Sequence, residues 1–294
     1  MKEVKNTMHY RNKHRNAYDF ERLIQFNTDL AHYVRPTPYG NLSIDFSNSR
    51  AVIALNKALL SADYHISSWN IPEGSLCPSV PGRAEYIHRI ADLFDDNIRQ
   101  NKVRCLDVGV GASCIYPIIG VVEYGWQFVG SDISEESLAW AQHIIDSNRV
   151  IKNTIELRFQ PESNHIFKNI ISPNEYFDIS ICNPPFYSSL SAYQSANLHK
   201  TKKLALDKDK MSSSNFGGKD NELWCLGGEK RFIKAMIKES KQNAAAVGRF
   251  TTLVSNKENL VPIIKMLKKM QAVKVEIIPM HLGNKRSRII AWAW

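Results

Sequence analysis

The chain of 294 residues is long for one domain and short for two full ones, which predicts one large domain with an accessory piece. Its net charge of +9 and pI near 9.2 predict an acidic partner, nucleic acid before an anionic membrane surface. No apolar run approaches the ~18 residues of a membrane span, and the polar start Met1 to Asn6 lacks the apolar core of a secretory signal.

Residues 1–80 read as a basic helical module. It opens with His9-Tyr10-Arg11-Asn12-Lys13-His14-Arg15, and Phe20, Leu23, Ile24, Leu30 and Ala31 follow in one helical pattern. A second helix is expected from a cap at 47–49 through Val52, Leu55, Leu59 and Leu60. Residues 71–83 carry proline and glycine and are expected as a loop. A further helix carries Tyr86, Ile87, Ile90 and Leu93.

From residue 103 strand and helix alternate, the pattern of a parallel sheet. Strands are expected at 103–108, 126–132, 154–159, 176–182 and 250–255. Helices are expected at 112–122, 135–148, 229–241 and 260–270. Two closing strands, 273–278 and 287–294, joined by a linker at 279–286, suit an antiparallel pair. Residues 81–294 are therefore expected as an α/β domain. Its insertion at 187–222, rich in Ser, Lys and Asn, has the length of a lid or substrate-binding loop. Cys77, Cys105, Cys114, Cys182 and Cys225 are odd in number and scattered. They predict buried thiols in a reducing compartment, with no zinc site.

The first strand ends Leu106-Asp107-Val108-Gly109-Val110-Gly111-Ala112-Ser113. Glycines at such a turn let a ligand approach the backbone at a helix N-terminus. The next strand ends in Asp132, a carboxylate placed to bind both hydroxyls of a ribose. A nicotinamide dinucleotide and S-adenosylmethionine both fit this arrangement. The dinucleotide fingerprint wants a third glycine where Cys114 stands, and its loss predicts a looser helix–strand approach. That favours S-adenosylmethionine, which has no phosphates.

A later strand runs into Asn183-Pro184-Pro185-Phe186. The Asn183 amide oxygen and a carbonyl of the proline turn can accept hydrogen bonds from an amino group, and Phe186 can stack on a flat base. Proline contributes no N–H, so the turn offers acceptors. Gly109, Asp132 and Asn183 all fall at carboxyl ends of strands, where ligands bind in open α/β sheets.

Asp107 to Ser113 together with Asn183 to Phe186 resemble the adenine-N6 methyltransferases of structured RNA. The nearer likeness is to the bacterial family of F-type large-subunit ribosomal RNA methyltransferases. That family is similar to the human enzyme acting on a small nuclear RNA. Arg11 to His14, Val80 to His88, Cys114 to Pro117, Asn215 to Gly218, Glu222 to Cys225 and Ile290 to Trp292 carry the likeness along nearly the whole chain.

The resemblance implies a Rossmann-like class I fold with a mostly parallel seven-stranded sheet and an antiparallel C-terminal hairpin. It implies N6-methylation of adenine 1618 of 23S ribosomal RNA, as naked RNA or in a large-subunit assembly intermediate. It places Arg83 on the cofactor's methionine carboxylate, Gly109 and Ser113 along its methionine portion, Asp132 on its ribose and Gln160 near its adenine, with Gly111 and Asn183 also on the cofactor. Asn183, Pro184, Pro185 and Phe186 form the catalytic turn, with no metal. RNA is expected to meet Arg11, Lys13, Arg15, Lys202, Lys203, Arg286 and Arg288, in the cytoplasm and with no membrane or obligate protein partner. The alternatives are a protein glutamine-N5 methyltransferase, which also uses an Asn-Pro-Pro turn, and a non-catalytic RNA-binding ribosome-assembly factor. A DNA adenine methyltransferase is a third.

Overall fold

The computed structural model describes residues 8–96, 103–189, 191, 194, 224–282 and 285–294. Most of the insertion, with Lys202 and Lys203, lies outside the described residues. The N-terminal part carries α1 (Phe20–Phe26), a short antiparallel pair β1 (Arg35–Pro36) and β2 (Leu42–Ser43), α2 (Ser49–Tyr64) and α3 (Val80–Ala91). The helical pattern expected across 20–31 splits in two. Asn27 leaves helical geometry at φ −149°, and its side chain donates to the Ala54 carbonyl of α2 at 2.8 Å. A 3-10 turn, Thr28–His32, follows. The cap of α2 is Asn48, whose Oδ1 accepts from the amides of Arg50 and Ala51.

The expected loop at 71–83 ends early, because α3 begins at Val80. Pro81 stands in its first turn, where a missing N–H costs nothing. Arg83 is therefore a helical residue, one turn from Tyr86.

The central sheet has seven strands in the order β5-β4-β3-β6-β7-β9-β8. They are β3 (Arg104–Val108), β4 (Gln127–Asp132), β5 (Ile155–Phe159), β6 (Phe177–Cys182), β7 (Val247–Val254), β8 (Lys274–Leu282) and β9 (Lys285–Ala293). The first five are parallel to one another, and β8 and β9 form the antiparallel close. The expected linker at 279–286 is mostly strand: β8 runs through Pro279, which an edge strand tolerates. Pairing reaches Leu282↔Lys285.

Between the strands lie α4 (Ile115–Tyr124), α5 (Glu135–Ser147), α6 (Gly228–Gln242) and α7 (Leu260–Lys269). One face of the sheet packs on α2 to α5 through Cys105, Phe128, Ile179 and Ile181. The other packs on α6 and α7 through Leu106, Val108, Phe250 and Trp292. Phe20, Leu23, Leu55 and Leu59 belong to the first of these clusters, so the N-terminal helices share a core with the sheet.

Cys114 stands in the third glycine's place with φ 50°, and a separate close helix–strand approach lies further along α4, where a Cβ on Gly120 would meet the Phe128 ring at 2.4 Å. No helix among the described residues is long and apolar enough to cross a membrane.

Candidate active site

The strand order reverses at β3: the chain adds β4 and β5 on one side, then returns to place β6 on the other. Ligands of doubly wound sheets sit at such a reversal, beyond the carboxyl ends. A cavity of about 710 Å³ opens there. The structure brings Arg83, Gly109, Gly111, Ser113, Asp132, Gln160, Asn183, Pro184 and Pro185 to its wall together.

The turn after β3 needs its glycines. Gly109 and Gly111 have φ of 76° and 64°, and a Cβ on either would enter open space rather than protein. The amides of Gly109 and Val110 donate to the Ser131 carbonyl, which fixes the turn on β4. The Gly111 amide donates to Asp132 Oδ2 and the Ser134 amide to Oδ1, each at 2.9 Å. Those bonds orient the carboxylate at the end of β4. Trp69 Nε1–H donates to the Ser113 carbonyl at 2.9 Å and braces the turn from the loop after α2.

Asp107 sits directly beneath this turn, wholly buried, with neither carboxylate oxygen hydrogen-bonded. Burial, helped by the nearby Asp132 and opposed by Arg83, pushes its carboxyl up to about 8. Arg83 packs 5.4 Å over the Tyr116 ring.

The acceptor side follows β6. Asn183 Oδ1 is buried and receives no donor from the protein. Phe186 does not line the cavity; it is half-buried against the apolar cluster on the α2 to α5 side. Burial raises the Cys114 and Cys182 thiols well above their usual range, so neither is a thiolate nucleophile at neutral pH. Gln160 lines the wall but spends its amide on the Lys168 carbonyl and the Glu162 amide.

Sequence reasoning missed Ile133, Trp224 and Phe232, which also line the cavity. Trp224 is tied beside the acceptor turn by its pairing with Tyr187 and by the Cys225 amide, 3.1 Å from the Tyr187 carbonyl. Its position after a long insertion gave no local signal for this. Ile133 could have been found as the apolar residue directly after the ribose-type acid.

The basic residues divide. Arg11 donates to the Tyr124 hydroxyl and the His88 carbonyl, and it pairs with Asp92. Lys13 pairs with Glu123 at 2.9 Å. Tyr124 ends α4, which runs back from the glycine turn, so these two residues sit at the opposite edge of the sheet from the cavity. The buried Glu85 holds the segment there, accepting from the His9 amide, Asn12 Nδ2 and Arg89 Nε. Arg15 is exposed and donates to the Tyr10 carbonyl. Arg288 pairs across from Val254, the last residue of β7. Arg288 and the exposed Arg286 thus lie on the carboxyl edge that carries Asn183.

A positively charged ligand with a carboxylate and a ribose fits this wall. Arg83, Asp132 and the bare glycines stand together on that wall. Among the described residues no group of His, Cys, Asp or Glu is set to hold a metal. Sheet order, antiparallel close and glycine–acid crevice together define a Rossmann-like class I methyltransferase, a class whose cofactor is S-adenosylmethionine.

A family described as RNA methyltransferase matches residues 2–294, and the chain belongs to it. The chain is 48% identical over 300 residues to ribosomal RNA large subunit methyltransferase F of Bacteroides fragilis, covering 98% of both. It is 49% identical to the protein of that name in Escherichia coli K12, covering 100% of this chain and 96% of that one. Among solved structures it is similar to the human METTL16 catalytic domain in complex with a MAT2A 3'UTR hairpin. The TM-score is 0.83 at 27% identity, over 97% of this chain and 95% of that one. The METTL16 N-terminal domain in complex with SAH aligns with a TM-score of 0.76 at 25% identity, over 97% and 98% of the two chains.

Proposed function

We propose that the chain methylates N6 of one adenine in 23S ribosomal RNA, adenine 1618 of the family's target. The observation that carries this reading is Asn183, which lines the cavity beside Pro184 and whose buried side-chain oxygen has no donor among the described residues. A buried acceptor without a donor is costly, and an exocyclic amine provides one. The relatives' names, which specify the large ribosomal subunit, support RNA as the carrier of that amine.

S-adenosylmethionine supplies an electrophilic methyl on sulfur. That methyl would pass to N6, with the thioether as leaving group, and the proton N6 then sheds would go to water. Asn183 Oδ1 and the Pro184 carbonyl accept the two N6 hydrogens and turn the lone pair toward the methyl. Such positioning is worth up to ~7–11 kcal/mol, and it stands in for a strong base. The adenine must be extruded, because a stacked base cannot enter the crevice.

Arg286 and Arg288 hold RNA phosphates at the cavity edge. Residues 1–80, with Arg11, Lys13 and Arg15, serve as an outlying RNA-binding module, in the cytoplasm and without an obligate protein partner. A competition experiment tests the reading. Labelled S-adenosylmethionine is offered with equal amounts of large-subunit RNA, duplex DNA and a glutamine-bearing protein. Label is expected in the RNA alone, with affinity that falls steeply as salt rises. Label in the protein would instead mark a glutamine-N5 methyltransferase.

A further inference from the structure

The two strands beside the acceptor turn part at its base. β6 stays paired with β3 as far as Val108↔Cys182, but its pairing with β7 ends at Ser180↔Phe250. β7 runs on to Val254 alongside β9. The Tyr86 hydroxyl of α3 fills this fork, wholly buried. It lies 3.0 Å from Thr251 Oγ1, 3.3 Å from the Cys182 carbonyl and 3.4 Å from the Cys182 amide.

Hydrogen accounting orders these contacts. Thr251 donates to the Ser180 carbonyl at 2.8 Å, so its oxygen accepts from Tyr86. The Tyr86 oxygen is then open to the Cys182 amide. The relay runs from Cys182 N–H through the Tyr86 and Thr251 hydroxyls to the Ser180 carbonyl. It fixes the last residues before Asn183 from α3 and β7 at once. Tyr86 also meets Tyr116 edge-on at 5.3 Å, and Arg83 packs over that same Tyr116 ring.

We propose that Tyr86 is a positioning residue for methyl transfer. Its hydroxyl holds the fork at the end of β6 so that the Asn183 amide stays aimed at the cofactor cavity. This rests on the function proposed above. The hydroxyl, rather than the ring, carries the role: phenylalanine would keep the packing and leave the Cys182 amide buried without that acceptor.

The test uses the full chain with Tyr86→Phe, Thr251→Val and Thr251→Ser. Turnover, cofactor affinity, RNA affinity and amide exchange at residues 181–183 are measured for each. Tyr86→Phe and Thr251→Val should each lower kcat about 10–100-fold, with both affinities within about two-fold of wild type. Thr251→Ser, which keeps the hydroxyl, should recover the rate lost in Thr251→Val. Exchange at 181–183 should quicken in the first two variants. Near-wild-type kcat in folded Tyr86→Phe would overturn the inference, as would cofactor affinity falling in step with the rate. An inactive wild type would count against the proposed function, not against Tyr86. Exchange then decides, and unchanged exchange at 181–183 in Tyr86→Phe overturns the positioning role.

Discussion

Replacing Asn183 by alanine is expected to lower kcat by on the order of 10²–10³-fold, the usual cost of deleting one pre-aimed polar group from a site. Cofactor affinity should change little, because Arg83, Asp132 and the glycine turn hold the other end of the cavity. Thermal stability should also hold. The Asn183 amide oxygen has no partner among the described residues, so truncation removes no bond to it there. Single-turnover transfer, calorimetric titration of S-adenosylmethionine and a melting curve check the three parts together. Wild-type transfer by the variant would remove Asn183 from the acceptor wall. Loss of cofactor binding would move it to the cofactor side.

The second large effect is on stability. Asp107 titrates near 8 in the folded protein against 3.8 as a free side chain, because burial disfavours its charged form. The folded state therefore binds more protons than the unfolded state between those two values. Stability from this group is intact below about pH 4, falls as pH rises and levels off above about 8. Asp107→Asn keeps the shape of the neutral carboxyl and cannot ionise. Urea unfolding of the cofactor-free protein should show a stability difference in favour of the variant that grows from about pH 4 to about pH 8. A difference that stays constant with pH would contradict the buried, unpartnered carboxyl.

Much of this was legible in the chain. The alternation from residue 103 located five parallel strands, and the Gly109, Asp132 and Asn183 strand ends met at one cavity, because period and turn chemistry are local properties. What escaped depended on partners distant in sequence. Pro81 and Gly82 read as loop residues, yet the first turn of α3 accommodates both. Arg11 and Lys13 read as cations for RNA, and their ion pairs with Asp92 and Glu123, far along the chain, left no local signal. Phe186 read as a cavity ring and packs half-buried beside the core. Trp224 reaches the cavity only because the chain returns to Tyr187 after the insertion.

The most direct measurement of the acceptor's identity is nucleoside mapping of large-subunit RNA. RNA from cells lacking this chain is incubated with the purified protein and methyl-labelled S-adenosylmethionine, then digested and sequenced by mass. The label should appear as N6-methyladenosine at a single adenine, and only with the wild-type chain. Label in another nucleoside, or none in RNA while protein glutamine is methylated, would contradict an adenine-N6 acceptor at Asn183.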